Sequence, residues 1–382
     1  MSEMMKLMED WNGYVALSDI QRGNGYELLL KETIELLGNT NHLPAHRHEY
    51  LIREAMTTSD FPLMFADVTD RSMMASYQAI DPEWKKYMRV KTVNRLYPWV
   101  GGKRFAIANS GMYLGEVAEK GEYLALKKTE SAYDVYARKY GNQIDISWEA
   151  MLADKLGALK DTPAEFAWLA ANTEHYRAVS AYANNVGTHA GGDLYEVGAG
   201  LNANTRPLTI ANLEASVADM QAIRHPSGQP IRNRPKYLVI SDGGLEFTAL
   251  QILHSTEKYR LATGDTDAVL GPYPTRNVIA DYGLKLVIDP WLSIAGTAGF
   301  TNNTWYLFAD PNLIAAVECD YLEGYERPEI CMKASDKVTI GGGAINPMTG
   351  DFATDNIFYR VRQFFGANKL DWRGTFINTV AD

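Results

Sequence analysis

Cysteine is scarce in this sequence: Cys319 and Cys331 are the two in 382 residues, and their spacing matches no zinc or redox motif. Two such cysteines are typical of buried apolar side chains in a reducing compartment. A long apolar run is missing as well, since no stretch approaches the ~20 residues that span a bilayer. The first ten residues carry acidic side chains and lack the apolar core of a secretory signal. We therefore predict a protein that is made and used in the cytoplasm, or that leaves it without secretion.

An excess of positive charge is also lacking. The chain has 37 Lys and Arg against 47 Asp and Glu, for a formal net charge of −10. A protein that binds nucleic acid by neutralising phosphates needs a clustered basic face. The composition therefore argues against a dedicated nucleic-acid binder, and it fits a protein that must not adhere to DNA.

Catalytic and metal-binding patterns are lacking too. His42, His46 and His48 form the densest metal-like cluster, but a helix that aligned the first two would have to pass through Pro44. Without cysteine partners, a polar surface turn is the favoured interpretation. There is no Gly-x-Ser-x-Gly elbow for a nucleophile. We therefore predict no catalytic residue, no cofactor and no metal site.

Two further patterns have simple structural interpretations. Asp265 and Asp267 have the spacing of calcium ligands but lack the glycine and the terminal glutamate of a calcium loop. The glycines at 341–343 are not followed by the Lys-Ser/Thr of a phosphate-binding loop, which favours a hairpin tip. An α/β enzyme with a pocket in residues 207–320 is therefore the weaker alternative.

One long helix is predicted over residues 162–186. Thr162 and Glu165 have capping-box spacing, Pro163 occupies the first helical position, and Gly187 stands where a left-handed residue would end the helix. A helix of about 25 residues is long against a mean of about 11–12. Such a rod indicates a building block more than a binding pocket.

A two-stranded hairpin is predicted before this helix, from the alternating residues 103–108 and 132–140. Lone two-stranded hairpins are marginally stable in water, so we expect it to pack on another subunit. After residue 207, helices capped by Thr209 and Asp242 alternate with predicted strands, which indicates an α/β or α+β domain. The predicted strands from there to the end of the chain are 237–240, 284–288, 304–308, 314–317, 325–333, 357–365 and 375–380.

Several stretches of sequence, taken in order, resemble one family. They are residues 57–63 followed by Trp84, residues 114–117 with 120–123, residues 140–149 with Asp154, and residues 207–213 (Pro-Leu-Thr-Ile-Ala-Asn-Leu) with 234–240 (Arg-Pro-Lys-Tyr-Leu-Val-Ile). Their order is similar to that of the Hong Kong 97-type (HK97-like) major capsid proteins of tailed bacteriophages, in particular Mu-like and prophage head subunits. The resemblance runs over nearly the whole chain and rests on the ordered set, since no single motif is diagnostic.

The resemblance implies an α+β capsid fold with four parts. They are an N-terminal arm with the segment after it (1–96), an extended loop (97–143), a peripheral domain (144–206 and 325–366) and an axial domain (207–324 and 367–382). The long helix would be the spine helix of the peripheral domain, and the extended loop would lie across a neighbouring subunit. The residues expected to contact that neighbour are Lys103, Arg104, Glu116, Lys120, Glu122, Tyr123, Lys127 and Lys128.

The function implied by the resemblance is that of a major capsid (head) protein. Copies would assemble in the host bacterial cytoplasm, as hexamers and pentamers, into an icosahedral shell that encloses double-stranded DNA in the virion. The implied partners are portal, scaffolding and decoration proteins, with non-specific contacts to packaged DNA and none to a membrane. An encapsulin-like nanocompartment shell is the alternative.

Covalent cross-links join the subunits of some such shells, through an isopeptide bond between a loop lysine and an asparagine assisted by a carboxylate. Asn356 is the candidate asparagine here, and the residues after it offer no acid before Asp371. We therefore predict that the subunits are not cross-linked. Because no charge-rich segment precedes the arm, we also expect that scaffolding is a separate protein or that this chain is the mature form.

Overall fold

The chain folds into mixed helices and strands, which confirms the α+β class. The computed structural model describes residues 61–94, 102–109, 128–147, 156–183, 186–198, 200–225, 228, 230–241, 243–260, 273–295, 303–333, 335–337 and 350–379. The helices are α1 (Phe61–Ala79), α2 (Leu156–Ser180), α3 (Ile210–Ala222), α4 (Glu246–His254), α5 (Val278–Tyr282) and α6 (Trp291–Ala295). The strands are β1 (Arg89–Val93), β2 (Gly102–Asn109), β3 (Lys128–Val135), β4 (Arg138–Ser147), β5 (Ala203–Asn204), β6 (Pro235–Ile240), β7 (Glu257–Arg260), β8 (Tyr273–Arg276), β9 (Lys285–Ile288), β10 (Trp305–Ala309), β11 (Val317–Leu322), β12 (Glu329–Met332), β13 (Asn356–Lys369) and β14 (Thr375–Asn378). Within these described ranges, no helix combines the length and apolarity needed to cross a membrane.

Contacts within the chain divide it into two compact units. The first unit comprises Met1–Asp81, Lys139–Thr173 and Tyr325–Phe364, and the second comprises Pro82–Arg138, Glu174–Gly324 and Phe365–Asp382. Helix α2 and strand β13 contribute residues to both units. The assignment of arm, extended loop, peripheral domain and axial domain stays a prediction.

In the first unit, α1 packs against the short strand β12. Strand β12 pairs with β13 in antiparallel register, and Glu329 lies opposite Arg362, with 2.6 Å between the carboxylate Oε2 and the guanidinium Nη2. Strand β4 also pairs with β13. A Cβ atom at Gly141 of β4 would collide with the carbonyl of Val361, so the strands can approach this closely only at a glycine.

The second unit is built on a five-stranded sheet in the order β5-β14-β10-β6-β9. Strand β10 is central and antiparallel to β14 and β6, whereas β9 runs parallel to β6. Every residue of β10 is buried, which is typical of a strand covered on both faces. The apolar core joins this sheet to α3, α4 and α5, with Leu213, Met220 and Trp305 fully buried.

Thr209 caps α3 as its sequence position predicts. Its side-chain oxygen accepts a hydrogen bond from the Asn212 N–H at 3.2 Å, which satisfies one of the free N–H groups at the start of the helix. The second predicted cap, Asp242, lies outside the described residues, and α4 begins at Glu246.

The long helix is present, but its predicted N-terminus is wrong. Because α2 begins at Leu156, Thr162, Pro163 and Glu165 lie inside it and none of them caps its start. A proline in this position removes one backbone hydrogen bond, to the carbonyl four residues earlier. The flanking sequence is rich in alanine and leucine, the strongest helix formers, and it continues the helix across the lost bond.

The predicted C-terminus of the helix is also wrong. The chain leaves α2 after Ser180 through a tight turn at residues 181–183, so Gly187 is not its cap. Gly187 lies in the following loop, where its N–H donates to the Tyr195 carbonyl at 2.8 Å. A Cβ atom at this position would collide with the Asp193 carboxylate. The glycine therefore allows a close approach within the loop.

Candidate functional site

The predicted hairpin exists as the antiparallel pair of β2 and β3. Lys103 and Arg104 lie at the base of this hairpin, and Lys128 pairs with Asn109 at its far end. The return strand ends at Val135, so the predicted extension to residue 140 belongs instead to the separate strand β4.

The base of the hairpin is fixed in the second unit. Val135 is fully buried in an apolar cluster with Val93, Ala137, Ala315 and Leu370. Beyond this base, β2 and β3 pair with each other and with no third strand of the described ranges. A two-stranded ribbon contributes little stability of its own, so its geometry suits contacts with another molecule.

The remaining predicted contact residues lie outside the part of the chain that the structure describes: Glu116, Lys120, Glu122, Tyr123 and Lys127. The structure thus places Lys103, Arg104 and Lys128 on one hairpin, the first two at its base and Lys128 at its far end. Their contacts with a neighbouring subunit stay predictions.

A second feature suited to contacts is the outer face of α2 in the first unit. Trp168 is 59% exposed and Leu169 36% exposed, whereas Phe166 and Ala170 of the same helix are buried. Tryptophan is enriched at protein interfaces because one side chain buries a large area. An exposed tryptophan beside a leucine is therefore a candidate contact point.

A buried polar network in the second unit could not be found from the sequence. Asp289 accepts a hydrogen bond from the Tyr87 hydroxyl at 2.9 Å, and the same carboxylate oxygen lies 2.9 Å from Nε2 of His175. The other oxygen accepts the Trp291 N–H at 3.0 Å, and the Tyr87 and Tyr182 hydroxyls lie 2.9 Å apart. Burial, and then the charge of Asp289, raises the pKa of both phenols well above the usual value, so both stay protonated.

This network joins the C-terminal part of α2 to the turn that follows β9. The side chains of Asp289, Tyr87, Tyr182 and His175 are all buried, so a substrate has no access to them. The arrangement favours a structural role, because a buried carboxylate is stable only when its oxygens are hydrogen-bonded. The one signal in the sequence is Asp289 before Pro290, which is typical of a turn.

Asn356 begins β13, and its side-chain Nδ2 lies 3.4 Å from Oδ2 of Asp145 on β4. These residues are far apart in sequence and meet because β4 pairs with β13. A carboxylate therefore does lie beside Asn356, contrary to the sequence argument against a cross-link. The absence of cross-links remains a prediction, without that argument to support it.

The two cysteines differ in burial. Cys319 on β11 is buried, and this burial, with the charge of Asp320, raises the pKa of its thiol well above the usual range. It is therefore a packed apolar side chain, since the nucleophilic form of cysteine is the thiolate. Cys331 on β12 is half-buried.

Within the described ranges, no group of three or more His, Cys, Asp or Glu is placed to hold a metal ion. The histidine cluster at 42–48 and the acids Asp265 and Asp267 lie outside these ranges.

The sequence of the chain matches the model of one protein family. The model of a family described as phage capsid protein matches residues 132–378. Similar solved structures include a chain of Gordonia phage Cozz, with 15% identity and a TM-score of 0.43 over 77% of this chain and 85% of that one. A chain of Mycobacterium phage Patience has 10% identity and a TM-score of 0.45 over 81% and 85%. An encapsulin of Synechococcus elongatus has 10% identity and a TM-score of 0.44 over 80% and 89%. Among curated proteins, none matches the chain significantly.

Proposed function

The chain belongs to the phage capsid protein family, and on that premise we propose that it is the major subunit of a phage head. As a member of this family it is a structural component of the virion, whose shell is built from copies of one chain. We propose further that the copies form hexamers and pentamers, that the shell is icosahedral, and that it encloses double-stranded DNA.

The observation that carries this proposal is the extent of the family match. The matched residues, 132–378, begin on β3 and end at the last residue of β14, so they include parts of both compact units. A match to one unit would support only a shared domain. A match of this extent supports a shared architecture, and with it a shared role in building the shell.

The parts of the chain take their proposed roles from this architecture. We assign residues 97–143 to an extended loop that reaches a neighbouring subunit, and the hairpin of β2 and β3 supports this assignment because it lacks a third strand in the described part of the chain. Residues 144–206 with 325–366 form the proposed peripheral domain. Residues 207–324 with 367–382 form the proposed axial domain, around which hexamers and pentamers close.

The proposed partners follow from the same role. Shell assembly takes place in the cytoplasm of the host bacterium and involves a portal and a scaffolding protein, with decoration proteins where the phage has them. Packaged DNA contacts the shell non-specifically, and the net charge of −10 keeps such contacts weak. In this role the chain catalyses no reaction.

The contents and size of purified particles test the proposal. We expect the protein from infected cells to sediment as large closed particles that contain double-stranded DNA. Particles filled with protein cargo and free of DNA would instead identify a nanocompartment shell of the encapsulin type. A uniform monomer that binds a small ligand saturably would revive the enzyme alternative and contradict the proposal.

A further inference from the structure

A tight turn at residues 350–356 leads into β13 in the first unit. Asp351 closes this turn, because its N–H donates to the Asn356 carbonyl at 3.0 Å. Its Oδ1 accepts hydrogen bonds from the Thr354 N–H (3.0 Å), the Thr354 hydroxyl (2.8 Å) and the Asn356 N–H (3.2 Å). The bond from the Thr354 hydroxyl is the main cause that lowers the pKa of Asp351, so the ionised carboxylate is the form that stabilises the turn.

The backbone of the turn has conformations that few residues tolerate. Asp355 has a φ of 56° and Gly350 a φ of 75°, both in the left-handed region. A Cβ atom at Gly350 would also collide with the Asp355 carbonyl. The ammonium of Lys337 pairs with the Asp355 carboxylate and fixes it from outside the turn. The strained conformation of Asp355 persists only where the surroundings enforce it.

A neighbouring segment braces the turn from the side. The Ser335 hydroxyl donates to the Gly350 carbonyl at 2.7 Å, and the Asp336 carboxylate accepts the N–H of Phe352 at 2.7 Å. The Lys333 ammonium lies 3.8 Å from that same carboxylate. The charged groups of the braced turn therefore pair with one another, which leaves them poorly suited to bind a charged ligand.

Phe352 stands at the tip of this braced turn. It is 81% exposed, more than any other large apolar side chain of the described residues. A phenylalanine ring buries roughly 150–250 Å² when it enters a pocket. Because the backbone beneath the ring is already fixed, binding would cost little further conformational entropy. Phenylalanine is enriched in the buried cores of protein interfaces.

We propose that Phe352 is an anchor through which one subunit binds a second copy of this chain in the shell. This inference rests on the proposed function, because contacts between copies of one chain hold such a shell together. The lysines near the ring are paired with acids, so they do not form the clustered positive charge that attracts nucleic acid. The ring is the part of the turn that gains most from leaving water.

The concentration at which purified subunits assemble tests the anchor. For Phe352→Ala we expect the critical concentration, followed by light scattering, to rise by at least about tenfold. Phe352→Tyr is the matched control, since it keeps the ring and should assemble close to the wild-type concentration. Asp351→Ala keeps the ring but loosens the turn, and we expect an intermediate rise. Thermal melting of the free subunit should be unchanged in Phe352→Ala, because the ring is exposed.

Chemical protection gives an independent measurement. Subunits with both Cys331→Ser and Phe352→Cys are co-assembled with an excess of Cys331→Ser subunits, so that residue 352 carries the one accessible thiol of the described residues. We expect the new thiol to react with a maleimide in free subunits and to be protected in shells.

The possible failures can be told apart. If wild-type subunits form shells, and Phe352→Ala assembles at the same concentration or the thiol reacts equally in both states, the anchor is refuted while the capsid role stands. If the wild-type chain forms no shells under any condition that supports other heads, including added scaffolding, the proposed function itself fails.

Discussion

Asp289 and Asp351 are both carboxylates that accept several hydrogen bonds, but one is buried in the second unit and the other is at the surface of the first. The network of Asp289 joins α2 to the turn after β9 inside the subunit, and its tyrosines Tyr87 and Tyr182 are buried. The network of Asp351 shapes a turn and leaves Phe352 exposed. We therefore expect the Asp289 network to contribute mainly to the stability of the subunit, and the Asp351 network mainly to its proposed contacts with other subunits.

Shortening the predicted extended loop should abolish shell assembly without lowering the stability of the folded subunit. Replacing residues 110–127 with Asn-Gly, the preferred two-residue hairpin turn, would retain the pairing of β2 and β3. We expect the shortened subunit to fold normally and to form no stable shells, because the proposed reach to a neighbour is lost. Electron microscopy and urea denaturation of the same preparation would measure the two properties. Normal shells from this variant would contradict the role assigned to residues 97–143.

The next effect is on stability. Asp289→Ala leaves the Tyr87 hydroxyl and the Trp291 N–H without their acceptor, and buried unpaired groups cost about 1–3 kcal/mol each. We therefore expect the free energy of unfolding to fall by roughly 3 kcal/mol or more in urea denaturation. The control is Asp219→Ala, which removes a partly exposed ion pair of 2.7 Å with Arg206. Pairs of that kind contribute about 0–1 kcal/mol, so equal losses in both variants would refute the special role of the interior network.

Much of the fold was predictable where local sequence decides the structure. Thr209 caps α3 because its side chain needs only the N–H of Asn212, three residues away. The alternating residues of β2 and β3, and the apolar run of β6, likewise identify these strands. The α+β class follows from such elements.

The features that were not predictable depend on contacts between distant residues. Strand β11 spans Val317–Leu322, so the predicted strand 314–317 overlaps it only at Val317, and its acids Glu318 and Asp320 are buried. Acidic residues rarely occupy buried strands, so the sequence pattern indicates exposure there. The ends of α2, the Asp289 network and the approach of Asp145 to Asn356 likewise depend on tertiary packing, which overrides local signals.

A smaller difference in stability should distinguish Thr209, which caps α3, from Thr162, which lies inside α2. Thr209→Ala should lower the free energy of unfolding by about 1 kcal/mol, because it removes the side-chain acceptor at the start of α3. Thr162→Ala should lower it by far less, or raise it by up to about 0.7 kcal/mol, because Thr162 lies inside α2 and alanine is the better helix former. Equal losses in thermal melts of the two variants would indicate that α2 begins at Thr162 after all.

We expect no covalent cross-links between the subunits of the shell. Shells boiled in denaturant should run as a single subunit band on a gel, because we predict that no isopeptide bond joins the chains. A ladder of covalent multimers that disappears in Asn356→Ala would reverse this prediction, and its loss in Asp145→Asn would identify the assisting carboxylate.

Electron microscopy of the purified wild-type protein would show directly whether copies of this chain build a closed shell. We expect closed icosahedral shells made of copies of this chain, with residues 97–143 of each subunit in contact with a neighbour. Shells in which this segment contacts only its own subunit would contradict the proposed assembly, and isolated subunits alone, with scaffolding present, would contradict the capsid role.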